Sequence, residues 1–282
     1  MTFPGAHAVD DTADRPYADA AYVVVGAPLD VSTSFQPGTR FGPDRVRRFA
    51  RTFEDYHRET DSHFSALGVA DRGDVRAWDD AAAYLDYLEG VLTDVHWADA
   101  VPLLLGGEHT VSVAGVRAAD PDVFLALDAH LDLREDLDGN PLSHSTVTRH
   151  ALDAADEAVV VGARAGNERE WERAGEGDVT VVPPEDVPGT EAGVRDADWL
   201  PADGDVYLSV DVDAADPAFA PGTGTPEPFG LDSTAMRNVV RAAAPHAAAF
   251  DVVEVNDRDD GQAGTLAAKL CREFVHGHAD AN

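Results

Sequence analysis

The sequence predicts an α/β fold whose parallel sheet is covered by helices on both faces. Three observations predict it. Short β-branched, apolar runs recur from one end of the chain to the other, as strands buried on both faces do. Between them lie segments with apolar residues at helical spacing. The loops after the strands are rich in Gly, Pro and Asp, which set turn geometry.

Eight strands are expected, at Tyr22–Gly26, Gly68–Ala70, Val101–Leu105, Val123–Asp128, Ala158–Gly162, Val179–Val182, Val206–Asp211 and Ala249–Glu254. Val46, Phe49 and Phe53 mark one helical stripe. Tyr84, Leu85, Leu88, Val91, Leu92 and Val95 mark a second, at i, i+3, i+4 and i+7. A last helix is expected from Gln262 to about Val275. Two long loops, Gln36 to Pro43 and Ala220 to Pro228, follow strands, where ordered loops usually carry function. The 282 residues suit one domain, 1–282, with residues 1–20 expected to be a loosely ordered segment.

The charge is extreme. Against 21 Lys and Arg stand 53 Asp and Glu, a formal net charge of −32, and Lys269 is the only lysine. Such a chain repels nucleic acid and anionic membranes, so neither is an expected partner. The acid is spread along the sequence, as in Asp10, Asp11, Asp14, Asp79, Asp80, Asp259 and Asp260. That distribution fits an acidic shell adapted to concentrated salt, where repulsion is screened; a merely acidic enzyme is the plainer alternative. Cys271 stands alone, which excludes an intrachain disulfide and favours a reducing interior. The first twenty residues lack the apolar core of a signal peptide, and no apolar run reaches spanning length. A soluble, cytoplasmic protein is expected.

Three strands end in metal-liking side chains. His109 follows Val101–Leu105; Asp128, His130 and Asp132 follow Val123–Leu127; Asp211 and Asp213 close Val206–Val210. Ligands of open parallel sheets bind beyond the carboxyl ends of the strands. Alternate residues of an extended segment share a face, so Asp128, His130 and Asp132 point together if the strand conformation continues past its end. Four carboxylates in one cleft repel each other, and divalent cations, here two, neutralise them. Taken singly, each patch also suits a solvated acidic strand end or a capping histidine. Taken together they specify metal. Carboxylates with imidazoles suit Mn²⁺, whereas a closed structural zinc site typically draws on cysteines this chain lacks.

With these motifs on view, the chain resembles the ureohydrolase family of arginases, agmatinases and formimidoylglutamases. The resemblance runs from Pro37-Gly38-Thr39-Arg40-Phe41-Gly42-Pro43 through Gly106-Gly107-Glu108-His109 and Asp128-Ala129-His130-Leu131-Asp132. It continues through Ser209 to Pro217 and Gly222-Thr223-Gly224-Thr225-Pro226-Glu227 to Glu254. It implies a three-layer α/β/α domain with an eight-stranded parallel sheet. It also implies two Mn²⁺ ions, one on His109 and Asp132 and one on His130 and Asp213, bridged by Asp128 and Asp211. Asp132 would thereby serve catalysis as well as binding. Glu254 would orient a guanidinium group, and His144 would transfer protons. A homo-oligomer, trimer or hexamer, is implied by the same resemblance.

Within the family, the two long loops and His144 look most like agmatinases, which convert agmatine to putrescine and urea. Arginases carry acidic residues where Ala165 and Asn167 follow Gly162-Ala163-Arg164, and an asparagine at the position of Arg134. Arg134 also suits the acidic substrate of a formimidoylglutamase, or a structural ion pair. Asn256-Asp257-Arg258 departs from the usual agmatinase pattern and leaves aminopropyl-agmatine open. The acetyl-polyamine deacetylases share the fold but use one zinc, and would not need His109 with both Asp211 and Asp213.

Overall fold

A computed structural model describes residues 1–10, 15–202 and 204–281; Asp11 and Asp14 of the acidic shell lie outside them. The first half of the chain forms β1 (His7–Ala8), β2 (Tyr22–Ala27), α1 (Gly42–Ala50), β3 (Tyr56–His57), β4 (Ser62–His63), β5 (Val69–Asp74), α2 (Ala81–His96), β6 (Val101–Gly106), α3 (Ser112–Ala119) and β7 (Val123–Leu127). The second half forms α4 (Val147–Ala151), β8 (Glu157–Val161), α5 (Glu168–Ala174), β9 (Val179–Val182), α6 (Glu191–Arg195), β10 (Val206–Asp211), α7 (Ser233–Ala243), β11 (Ala247–Val253) and α8 (Gln262–Ala281).

Nine strands pair in the order β1-β5-β2-β6-β11-β10-β7-β8-β9, every pair parallel. Side chains alternate across each strand and build two cores. Val24, Leu105, Leu127, Val161 and Val210 face α1, α6, α7 and α8. Val25, Leu104, Ala126, Val160 and Tyr207 face α2, α3, α4 and α5. Each fully buried Leu or Val contributes about 1.5–3 kcal/mol, so the three layers follow from the apolar runs themselves. In α2 the buried residues are the six of the anticipated stripe, and Asp80 caps its start by accepting from Ala83 N at 3.0 Å.

The expected eight-stranded sheet has nine strands, and β3 and β4 form a separate antiparallel pair. The addition is β1, whose His7 and Ala8 pair with Ala70 and Asp71 at the sheet edge. Two residues are too few for a periodic signal; tertiary contacts place them. Phe3, in the segment expected to be loose, is buried, and its N–H donates to Asp71 Oδ2 at 2.5 Å. The last helix runs past Val275 to Ala281 because His276 is buried and His278 Nδ1 lies 2.8 Å from Tyr22 Oη. Among the described residues, no helix is long and apolar enough to cross a membrane.

Candidate metal centre

Four neighbouring strands in the middle of the sheet, β6, β11, β10 and β7, bring the predicted residues to one edge. His109 follows β6, Glu254 follows β11, Asp211 ends β10, and Asp128 follows β7. The turn after β6 needs its glycine: a Cβ on Gly107 would lie 1.9 Å from Leu29 O. Its N–H donates to Ala27 O at 2.7 Å, which seats His109 against the loop after β2.

Two clusters form around Asp128. In one, His109, Asp128 and Asp132 bring ligand atoms within 4.8 Å of one another; in the other, Asp128, His130 and Asp213 do so. His109 Nδ1 lies 3.0 Å from Asp128 Oδ2 and 3.1 Å from Asp132 Oδ2. His130 Nδ1 lies 3.0 Å from Asp213 Oδ2 and 3.6 Å from Asp128 Oδ1. Asp211 sits further out, its Oδ2 3.6 Å from His109 Nδ1. The extended conformation after β7 persists only in part. His130 bridges to Ala165, and then Asp132 turns into the left-handed region at φ 50°. Asp211 and Asp213 are joined by a turn rather than a strand, with Asp213 N donating to Asp211 Oδ1 at 2.8 Å.

The donor set fits a divalent cation. His109 Nδ1 and Asp128 Oδ2 are buried with no hydrogen-bond partner, although they face each other. Orphaned buried polar atoms are costly, and a shared cation removes the cost. His109 Nε2 is held 3.1 Å from Ser209 Oγ, and Ser209 Oγ donates to Asp251 Oδ1 at 2.6 Å. This chain assigns the imidazole proton to Nε2 and leaves the Nδ1 lone pair for metal. Tyr207 Oη donates to the other oxygen of Asp251 at 2.7 Å.

The clustered side chains act strongly on one another's charge. Burial, with Asp128 charged beside it, pushes Asp132 up to about 7. Burial and the neighbouring carboxylates Asp213 and Asp128 also drive Asp211 well above the usual carboxylate range. Asp128 resists burial: contact with His109 and His130 holds it below that range. Burial opposes charge on His130, yet Asp213 and Asp128 raise it to about 12. Glu254 is raised chiefly by burial; its Oε1 accepts from His109 N at 2.8 Å.

His144 is not among these clusters. It opens a short turn capped by Ser143, with its Nε2 3.1 Å from Ser34 Oγ, and lines the same cavity of about 550 Å³ as His130 and Asp132. Burial, then the charge of His130, lowers it to about 4. Its support runs back to Glu108, whose buried carboxylate accepts from Val31 N, Ser32 N, Ser32 Oγ and Thr110 Oγ1. Ser32 Oγ in turn accepts from His144 N at 3.0 Å. Arg134 forms the structural ion pair, its Nε 3.2 Å from Glu170 Oε2.

Sequence reasoning gave no role to Ser209, Asp251, Glu108 or Glu170. One signal was present: Asp251 is a charged residue inside the apolar strand β11, between Phe250 and Val252.

An open parallel sheet with a carboxylate and imidazole cluster at its carboxyl edge defines an α/β protein with a candidate metal centre. The chain matches the profile of the Arginase family over residues 20–277, and it belongs to that family, hydrolases acting on C–N bonds. It is 34% identical over 257 residues to the N(1)-aminopropylagmatine ureohydrolase of Thermococcus kodakarensis, covering 89% of this chain and 88% of that protein. It is 34% identical to an agmatinase of Bacillus cereus, with 93% of each chain covered. The crystal structure of the agmatine ureohydrolase of Thermoplasma volcanium superposes with a TM-score of 0.89 at 34% identity, covering 99% of this chain and 94% of that one.

Proposed function

We propose that the chain is a binuclear manganese amidinohydrolase that converts agmatine to putrescine and urea. The observation that carries this reading is the pair of clusters sharing Asp128, in a chain of the Arginase family. His109 and Asp132 would hold one ion, His130 and Asp213 the other, and Asp128 and Asp211 would bridge them. Bound divalent cations supply a water whose pKa is lowered towards neutrality. Glu254, beside His109, faces the guanidinium and orients its carbon by charge-assisted hydrogen bonds. His144, which lines the cavity with His130 and Asp132, would move the proton that the leaving amine needs. Aminopropyl-agmatine is the second reading, favoured by the likeness to the Thermococcus kodakarensis protein. The fit of Ala165 and Asn167 speaks against arginine, and the Arg134–Glu170 ion pair against an acidic substrate. We extend the reading to a cytoplasmic homo-oligomer with a salt-adapted acidic surface.

The test is urea release by Mn²⁺-reconstituted protein in molar KCl from agmatine, arginine and aminopropyl-agmatine, with formamide release from formimidoylglutamate alongside. Urea from agmatine, lost together with bound metal in Asp128→Asn, is the expected result. Formamide alone would move the chain to the formimidoylglutamase branch. No product from any substrate, with two metals bound, would overturn the substrate assignment.

A further inference from the structure

The cavity over the metal centre receives side chains that the hydrolytic chemistry leaves unused. Besides Asp132, its carboxylates come from Glu170 and Glu227. Glu170 is fully engaged: it accepts from Leu133 N at 3.3 Å, Asn167 N at 2.9 Å and Arg134 Nε at 3.2 Å. Glu227 differs. It is half-buried, and among the described residues no hydrogen bond or ion pair reaches its carboxylate, though Arg164 lies close enough for its charge to act on it.

The backbone of Glu227 is fixed. Arg164 donates through NH2 to Glu227 O at 2.7 Å and to Asp213 O at 2.8 Å, and through Nε to Pro228 O at 3.0 Å. Asp216 Oδ2 accepts from Phe229 N at 2.7 Å on the far side of the loop. One guanidinium thus ties the Glu227 loop to the turn that carries Asp213, so the spacing between Glu227 and the metal centre is set by the fold. The cavity's arginines make no hydrogen bond to this carboxylate, although the charge of Arg164 reaches it. Arg164 donates to backbone carbonyls, and Arg134 is paired with Glu170. A half-buried carboxylate without a hydrogen-bonded partner keeps water on its open side, which an arriving cation can replace with charge-assisted hydrogen bonds. Pre-placing it removes the ordering cost of that encounter.

We propose that Glu227 receives the distal ammonium of an aminoalkyl guanidine, so that the charge of the tail, and not only the guanidinium, determines which substrate is hydrolysed. This rests on the reading of the chain as a guanidine hydrolase. A neutral tail gains nothing from this carboxylate, and an anionic tail is repelled by it.

The test compares kcat/KM of the manganese-loaded enzyme for agmatine, 1-butylguanidine and 4-guanidinobutyrate, together with inhibition by putrescine. Charge-assisted hydrogen bonds predict a preference for agmatine over 1-butylguanidine of about 10–100-fold. Glu227→Gln is expected to collapse that ratio, chiefly through KM, and to weaken putrescine inhibition in parallel. Glu227→Asp restores part of both, which separates recognition from loop structure. An unchanged ratio in Glu227→Gln, or equal losses on agmatine and 1-butylguanidine, would overturn the proposal while the hydrolase reading stands. A wild type inactive on all three guanidines would overturn the hydrolase reading, and this inference with it.

Discussion

Asp132 and Glu254 lie beyond the ends of β7 and β11, two strands separated by β10, and both hold their backbones in the left-handed region, at φ 50° and 62°. Neither is a glycine, and such conformations cost on the order of 1–3 kcal/mol each. Both are held from outside. Glu254 N donates to Gly107 O at 2.8 Å, and Asp132 O accepts from Arg149 N at 3.2 Å. Both carboxylates meet His109, Asp132 at Nδ1 (3.1 Å) and Glu254 at the backbone N–H (2.8 Å).

Glu170 supports the first of these turns through Leu133 N and Arg134 Nε. Glu170→Ala leaves buried donors unsatisfied, and is expected to lower stability by about 1–3 kcal/mol in urea titrations. Manganese dissociation should quicken as Asp132 loosens. A variant as stable and as slow to release metal as the wild type would show that Glu170 supports nothing.

Ser209 links His109 to Asp251, and its hydroxyl is the joint of that chain. Ser209→Ala should weaken Mn²⁺ binding about 10–100-fold, as loss of such outer partners generally does. Metal titration with a fluorescent competitor reads this directly. Affinity equal to the wild type's would refute the proton assignment on His109.

His276 is buried, stacked on His57 at 4.4 Å, with Nδ1 2.9 Å from Ser62 Oγ. Burial, then the charges of His57 and Arg272, lowers it to about 4, while Glu273 opposes and Lys269 adds slightly. An unfolded histidine takes its proton near ~6.5. The contribution is therefore complete above that pH and drains away as pH falls towards 4. His276→Gln should flatten the stability profile between those values; an unaltered slope would assign it to other groups.

With 53 acidic against 21 basic residues, self-repulsion opposes the folded state in dilute buffer. At molar salt the screening length shrinks to about 3 Å. The melting temperature is expected to climb steadily from 0.1 to 2 M KCl. A flat or falling curve would remove the salt-adapted reading.

The parts of this molecule that were legible in the sequence are those with a periodic or clustered signal. The α2 stripe was read residue by residue because 3.6-residue spacing survives any tertiary context. The six ligand candidates were legible because strand ends and acidic patches coincide. Their supports were not. Glu108, Glu170 and Asp251 act through partners up to 77 residues away, and buried polar networks leave no period along the chain. β1 escaped for the same reason, being placed by Phe3 and Asp71 rather than by its own two residues. Asp211 and Asp213 are brought together by a tight turn that Asp211 caps, a local hydrogen bond that strand periodicity does not reveal.

In the sheet, β6 and β7 follow each other along the chain but stand apart, with β11 and β10 between them. The two strands that fill this gap, β10 and β11, are the last two of the sheet along the chain, so β6 and β7 gain their inner neighbours only from residues after 205. Strand edges left without such neighbours recruit foreign strands, and β11 also delivers Glu254. A chain cut short before β10 would therefore lack both the middle of the sheet and the residues Asp211, Asp213 and Glu254.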